Sequence, residues 1–337
     1  MTKAAGIALI VAGLTGAYLM MPANYSAVKL SFPAGTPPEK IIAALGGRGV
    51  VRSPTLLSAA LTVSGRMRKV TPGVYTFDGG EDFVQVWRLM SRGGMRETVA
   101  ITIPEGYTNA QIAQLLEESG LVTSKQAFLD ALKSPEQYAA AAPRLFTILQ
   151  RDSHTADLEG FLFPATYDFA AGMPPERIIE KMLRGFHTNL PPDTSTQLKT
   201  LQRSLREIII IASMIEREAA VDRDRPLIAS VIYNRLKKGM LLQIDATVAF
   251  ALNKWERLYN KDKEVDSPYN TYKYAGLPPA PIGNPGAASI FAALHPAKTG
   301  YLYYVAQPDG SHAFSSTFGG QIRNIQRACA PSSAPGV

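Results

Sequence analysis

Two carboxylates, Glu216 and Glu218, close the run Glu207-Ile-Ile-Ile-Ile-Ala-Ser-Met-Ile-Glu216-Arg217-Glu218-Ala-Ala. An acid at the end of so apolar a helix can be delivered to a cavity. Loss of hydration there raises a carboxyl pKa and lets the group stay protonated near neutral pH, as a general acid must. At about 100° per residue the two side chains diverge by about 200°, so they cannot form a dyad with each other. Glu218 shares its stripe with Ile211, Met214 and Ile215, whereas Glu216 shares one with Ile209, Ala212 and Ser213. The bulkier apolar company makes Glu218 the better candidate acid and Glu216 the runner-up. The competing reading is the solvated end of a core helix, with Arg217, Arg223 and Arg225 pairing the carboxylates.

Material suited to a sugar groove follows: Tyr233-Asn-Arg-Leu, Gln243-Ile-Asp245-Ala-Thr247, Ser267-Pro-Tyr269-Asn270-Thr-Tyr272, Gly276-Leu-Pro-Pro279 and Pro281-Ile-Gly-Asn-Pro-Gly286. Long irregular segments inside a compact domain are usually binding loops. Tyr offers a flat apolar face to a pyranose ring, and Asn pairs a donor with an acceptor for hydroxyl and acetamido groups. Some of these prolines and glycines simply make rigid turns. Other chemistries lack their residues. His154, His187, His295 and His312 are scattered without His-Glu-x-x-His spacing, and the chain has no Gly-x-Ser-x-Gly elbow, Ser-x-x-Lys set or phosphate loop. One cysteine, Cys329, excludes an intrachain disulfide framework and any multi-cysteine metal site. Neither a metal nor a cofactor is expected.

These residues need a scaffold, and the pattern supplies an α+β one. Phe32-Pro-Ala-Gly-Thr-Pro-Pro-Glu-Lys-Ile-Ile and Phe169-Ala-Ala-Gly-Met-Pro-Pro-Glu-Arg-Ile-Ile repeat a strand-turn-helix recipe, with a looser copy at Ile103-Pro-Glu-Gly-Tyr-Thr-Asn-Ala-Gln-Ile-Ala. Gly frees each turn, Pro suits the first helical turn, and Glu favours the helix N-terminus. Between 28 and 92 a small βαα-type module is expected, with helices over 39–45 and 83–91 and a strand over 73–77. A strand over 99–103 and helices over 109–119, 125–133 and 175–188 follow. The linker Pro191-Pro192-Asp-Thr-Ser then leads to helices over 205–220 and 223–238, the second ended by Gly239.

The 337 residues allow about two domains, and 46% apolar with 19% charged content is that of a folded chain. A net charge of +7 is too small and too dispersed for nucleic-acid binding. The uncharged stretch 4–21 would be about 27 Å long as a helix, close to a bilayer core. Cleavage after Ala23 would put bulky Met21 where a signal peptidase wants a small residue, which favours an uncleaved anchor. Lys3 marks the cytoplasmic flank, with the rest outside.

The chain resembles the YceG-like (MltG-type) endolytic peptidoglycan transglycosylases. The likeness lies in Ala-Ser-Met-Ile-Glu-Arg-Glu-Ala at 212–219, Ser-Val-Ile-Tyr-Asn-Arg-Leu at 230–236 and Gly-Met-Leu-Leu-Gln-Ile-Asp-Ala-Thr-Val at 239–248. It continues through Ser-Pro-Tyr-Asn-Thr-Tyr at 267–272, Gly-Leu-Pro-Pro at 276–279 and His-Pro-Ala-Lys-Thr-Gly-Tyr-Leu-Tyr-Tyr-Val at 295–305, in that order. Leu-Glu-Gly-Phe-Leu-Phe-Pro-Ala-Thr-Tyr at 158–167 belongs to it as well. Ile244 and Ala246 depart from the family's usual Thr and Pro. The resemblance implies a cytoplasmic stub (1–3), a transmembrane anchor (4–22), a LysM-like glycan-binding module (27–96), a mixed α/β catalytic domain (97–330) and a tail (331–337).

It also implies a single-pass protein of the inner (cytoplasmic) membrane with its catalytic domain in the periplasm, acting on peptidoglycan strands beside peptidoglycan synthases. The implied catalytic acid is Glu218. Gln243, Asp245, Tyr269 and Asn270 are the implied substrate-positioning groups, with Tyr272 and Tyr167 stacking on sugar rings. Ordinary glycosidases use two carboxylates, and no second one is obvious here. In the lytic route the muramyl 6-hydroxyl attacks its own C1, so one acid suffices and the product is a 1,6-anhydro end. The alternative of another class is a non-catalytic, membrane-anchored peptidoglycan-binding scaffold. A muramidase releasing reducing ends is a third.

Overall fold

The computed structural model describes residues 21, 25–33, 35–95, 98–143, 145–146 and 158–329. Apart from Met21, the expected anchor and the tail at 331–337 lie outside the described residues, as does His154. Among the described residues no helix is long and apolar enough to cross a membrane. The chain divides into two units, Met1–Val99 and Ala100–Val337.

The first unit runs β1 (Val28–Phe32), α1 (Pro38–Gly47), α2 (Pro54–Val63), β2 (Gly73–Phe77) and α3 (Phe83–Arg92). β1 and β2 pair antiparallel, with Val28 opposite Phe77 and Phe32 opposite Gly73. Ile41, Leu45, Leu57, Leu61, Phe77, Val86 and Met90 fill its core. α2 is one helix more than the sequence pattern predicts. It is apolar on most sides, so its 3.6-residue period is weak, yet Pro54 at its first turn and the Ser53 hydroxyl accepting from Leu56 N–H at 3.2 Å mark its start.

β3 (Thr98–Thr102) runs across the division, and the second unit continues with α4 (Asn109–Glu118), α5 (Lys125–Leu132), β4 (Thr166–Ala170), α6 (Pro175–Asn189) and α7 (Thr194–Leu201). Next come α8 (Leu205–Glu218), α9 (Arg225–Lys237), α10 (Asp245–Leu252), α11 (Ala287–Leu294), the strands β5 (Tyr303–Ala306) and β6 (His312–Ser315), and α12 (Phe318–Ala328). β3 pairs with β4, and β5 with β6. The three strand-turn-helix copies are β1–α1, β3–α4 and β4–α6, and their turns need Gly35, Gly106 and Gly172 at φ +86°, +77° and +71°.

α8 organises this unit. Ser204 and Glu207 form a capping box at its start, and Leu205 and every residue from Ile208 to Ile215 are buried. Each such isoleucine contributes about 1.5–3 kcal/mol by leaving water. A helix so apolar on all sides has to be central, and α9, α10 and α11 all pack on it. It ends at Glu218, two residues before the expected end, because Ala219 turns extended at φ −80°, ψ 115°. Glu218 is therefore the last helical residue.

A buried amide ties the loops together. Asn284 Nδ2 donates to Tyr107 O at 2.9 Å and to Asn109 Oδ1 at 3.0 Å, and its Oδ1 accepts from Leu162 N–H at 2.8 Å. Glu159 joins the same node by accepting from Asn109 N–H at 3.0 Å. Asn284→Ala would strand these groups away from water, and we expect it to cost about 2–3 kcal/mol. Urea unfolding checks this; a midpoint equal to that of the wild type would refute it.

Candidate active site

The two acids of α8 have opposite surroundings, as their divergence around the helix requires. Glu216 is buried, its side chain only 5% exposed. Its Oε1 accepts from Arg225 Nη1 at 2.9 Å and its Oε2 from Gly286 N–H at 2.8 Å. Arg225 also donates to Asp222 Oδ1 at 3.0 Å and to Ser289 Oγ. Arginine pairing of the helix end is thus found at Glu216. Arg217 instead lies over the Trp255 ring, 3.8 Å from its centroid.

Glu218 has other company. It is half-buried, its Oε2 accepts from the Tyr304 hydroxyl at 3.2 Å, and the backbone N–H of Ala246, at the start of α10, faces the same carboxyl. Desolvation pushes its pKa up to about 7, and the nearby Asp245 charge pushes in the same direction. Tyr304, Ala246 N–H and Lys263 act the other way and limit the rise. A carboxyl balanced there can hold a proton at neutral pH and also release it.

Around Glu218 the structure gathers several of the expected groups. Asp245 is exposed at the first position of α10; it pairs with Lys263 Nζ at 2.9 Å and accepts from the Tyr272 hydroxyl. Lys263 Nζ sits 4.5 Å from the centroid of the Tyr272 ring, and Tyr272's phenol is pushed up to about 12 by burial and by Asp245. Gln243 is exposed, with φ +56°, a left-handed conformation that side chains seldom adopt. Its N–H donates to Thr271 O at 3.0 Å, and Arg235 Nη1 lies 3.4 Å from its Oε1. Thr271 Oγ1 also accepts from Ile244 N–H at 2.9 Å, so the 267–272 loop holds the entry to α10 in place.

Of the other expected groups two are buried and one packs on a neighbouring ring. Tyr167 is a core residue of β4: it is buried, stacked on Phe169 with centroids 5.3 Å apart, and donates its hydroxyl to Phe163 O at 2.7 Å. A ring this buried presents no open face to solvent. Asn270 is fully buried and spends its amide on Lys263 O at 2.9 Å and Val265 O at 2.8 Å, so it shapes the loop from inside. Tyr269 packs on Phe250, with centroids 4.8 Å apart.

Lys263, Arg235, Thr271 and Tyr304 are additions that residue type and spacing do not single out for the site. Arg235 donates to Leu302 O at 2.6 Å and Leu242 O at 2.8 Å, clamping β5 to the approach of α10. Tyr304 lies inside the 295–305 motif, where only its neighbours' alternation hints at a strand. Among the described residues no group of three or more His, Cys, Asp or Glu is arranged to hold a metal ion. A cavity of about 510 Å³ lined by Asp193, Asp222, Arg225, Pro226 and Phe291, among others, lies on the Glu216–Arg225 side and does not include Glu218 in its lining. Burial and hydrogen bonding, rather than cavity size, therefore locate the candidate site.

The balance of charges around Glu218 yields a prediction with a definite sign. Asp245 repels the ionised form of Glu218, so Asp245→Asn should lower the Glu218 pKa and move the alkaline limb of any Glu218-dependent activity to lower pH. A pH–rate profile that does not move would contradict it.

An apolar central helix delivers one titratable carboxyl, faced by a phenol, a backbone N–H and an Asp–Lys–Tyr cluster, an arrangement able to give and take back a single proton. The chain belongs to the YceG-like family, whose model matches residues 30–327. It is 35% identical over 321 residues to the endolytic murein transglycosylase of Bacillus subtilis (strain 168), covering 92% of this chain and 88% of that protein. It is 31% identical over 302 residues to the endolytic murein transglycosylase of Streptococcus pneumoniae serotype 2 (strain D39 / NCTC 7466), covering 83% of this chain and 54% of that longer protein. A crystal structure of a YceG-like protein from Listeria monocytogenes superposes with a TM-score of 0.61 at 33% identity, over 88% of this chain and 98% of that one.

Proposed function

We propose that this chain is an endolytic murein transglycosylase, with Glu218 as its acid and base. It cleaves the MurNAc-β-1,4-GlcNAc bond inside peptidoglycan strands and leaves 1,6-anhydro-MurNAc ends. The observation that carries the assignment of Glu218 is its half-buried carboxyl on the last residue of α8, met by the Tyr304 hydroxyl at 3.2 Å, where desolvation pushes its pKa up to about 7. Protonated Glu218 gives its proton to the glycosidic oxygen as the C1–O bond breaks, and an oxocarbenium-like state develops at C1. The muramyl 6-hydroxyl oxygen then bonds to C1 and its proton returns to Glu218. The nucleophile belongs to the substrate, so its effective concentration is high and no water has to be positioned.

Gln243, Asp245 and Tyr272 line the approach to Glu218 and orient the sugars. The N-terminal segment anchors the protein in the inner membrane with the catalytic unit in the periplasm, and the first unit holds glycan in the LysM manner, a role with which its strand-helix-helix-strand order is compatible. From there the enzyme cuts nascent strands beside the peptidoglycan synthases and ends their elongation.

Digestion of purified wall material in oxygen-18 water, followed by mass analysis, tests the reaction. Anhydro ends without the label are expected. Labelled reducing ends would replace the lytic route with a muramidase, and the absence of any product from the full chain would leave the scaffold alternative.

A further inference from the structure

The β5–β6 hairpin contributes a group to the acid that no motif assigned. We infer that Tyr304, braced from behind by the buried Asp224–His312 pair, is a positioning residue that fixes which oxygen of Glu218 carries the transferred proton. This inference rests on Glu218 being the acid. The Tyr304 hydroxyl donates to Oε2 at 3.2 Å. Burial and the Glu218 charge push the phenol well above its ordinary range, so it remains a donor at every working pH. With Oε2 accepting from Tyr304, Oε1 is the oxygen left to carry the mobile proton. Once that proton has gone, the same phenol stabilises the carboxylate, and a hydrogen bond to a charged group is the stronger kind.

The brace is built from three elements. Asp224 Oδ2 accepts from His312 N–H at 2.6 Å and lies 3.0 Å from His312 Nδ1, with both side chains buried. The His312 ring meets the Tyr304 ring edge-on, with centroids 5.3 Å apart and planes at 87°. Gln321 Nε2 on α12 donates to Tyr304 O at 2.8 Å. Asp224 immediately precedes α9, so the corner after α8 holds the hairpin that reaches back to the end of α8. The other charged or titratable groups facing Tyr304 and Glu218 are Asp245 on α10, Lys263, Tyr272 and Arg235 on α9. None of these four replaces the phenol as a hydrogen-bond donor to Oε2.

The test compares pH–rate profiles of anhydro-product formation for full-length wild type, Tyr304→Phe and protein with 3,5-difluorotyrosine at position 304. Phe keeps the ring contacts and removes the donor. We expect kcat to fall about tenfold with KM unchanged, and the alkaline limb to move to higher pH because a hydrogen bond favouring the carboxylate is gone. The fluorinated phenol is a stronger donor and should move the limb to lower pH. Limbs coincident with that of the wild type in folded variants would overturn the inference. If Tyr304→Phe does not fold, the fluorinated protein decides alone. Glu218→Gln runs in parallel: product formation there would overturn the acid assignment itself, separately from the role of Tyr304.

Discussion

Glu218→Gln should lose anhydro-product formation by about 10²–10⁴-fold while gaining stability at alkaline pH. Glutamine keeps the shape and can still meet Tyr304 and Ala246 N–H, but it has no proton to give. The stability gain follows from the same displaced pKa. Desolvation pushes the Glu218 carboxyl up to about 7 in the fold, from 4.5 for the ordinary side chain. Its contribution to stability is complete below pH 4.5 and is lost as pH rises through 7, because folding then holds a half-buried charge that water would solvate better. The variant carries no such charge. Its advantage over the wild type should be absent at about pH 4, grow between pH 4.5 and 7, and level off at about 1–2 kcal/mol, a figure discounted for the exposure of the carboxyl. Activity of the wild type should fall above pH 7 for the same reason. Product assays and melting curves at about pH 4 and about pH 8 read both effects. Retention of activity, or loss in Glu216→Gln but not in Glu218→Gln, would move the acid elsewhere.

The second large effect belongs to Glu216, and it concerns stability rather than chemistry. Glu216→Ala leaves Arg225, itself only 10% exposed, without its buried partner and removes the acceptor of Gly286 N–H. Breaking a buried pair from one side costs about 3–5 kcal/mol. Asp222 still accepts from Arg225 Nε, so the lower end of that range is expected. Glu216→Gln, which keeps an oxygen for Gly286, should be milder. Denaturant midpoints check the order. Below its unfolding transition, Glu216→Ala should retain its rate per folded molecule; selective loss of rate with unchanged stability would show that the roles of the two carboxylates are reversed.

How much of the fold and the site is legible in the chain depends on how local each signal is. α8 is legible because its isoleucines run without interruption and Ser204 and Glu207 mark its start. Its end reads two residues late because nothing in Ala219-Ala220 stops a helix. The separation of Glu216 from Glu218 needs only helical geometry. The burial of Tyr167 and Asn270 is not legible because residue type does not reveal burial: a tyrosine on a strand faces core or solvent according to the pairing of that strand. Lys263 and Tyr304 reach the site from 45 and 86 positions beyond Glu218, and contacts over such spans leave no periodic trace. α2 and α11 are short and apolar on most sides, so only the residues at their ends could betray them.

The hairpin that carries Tyr304 bears on how the protein comes into being. Glu218 is synthesised long before residues 303–315, and Asn284 has to find Tyr107 across 177 positions before the loops can set. Such distant pairings are late events in folding. A chain completed only as far as α11 therefore holds Glu218 without the phenol that donates to it, and the surroundings of that carboxyl are finished only after the hairpin has docked.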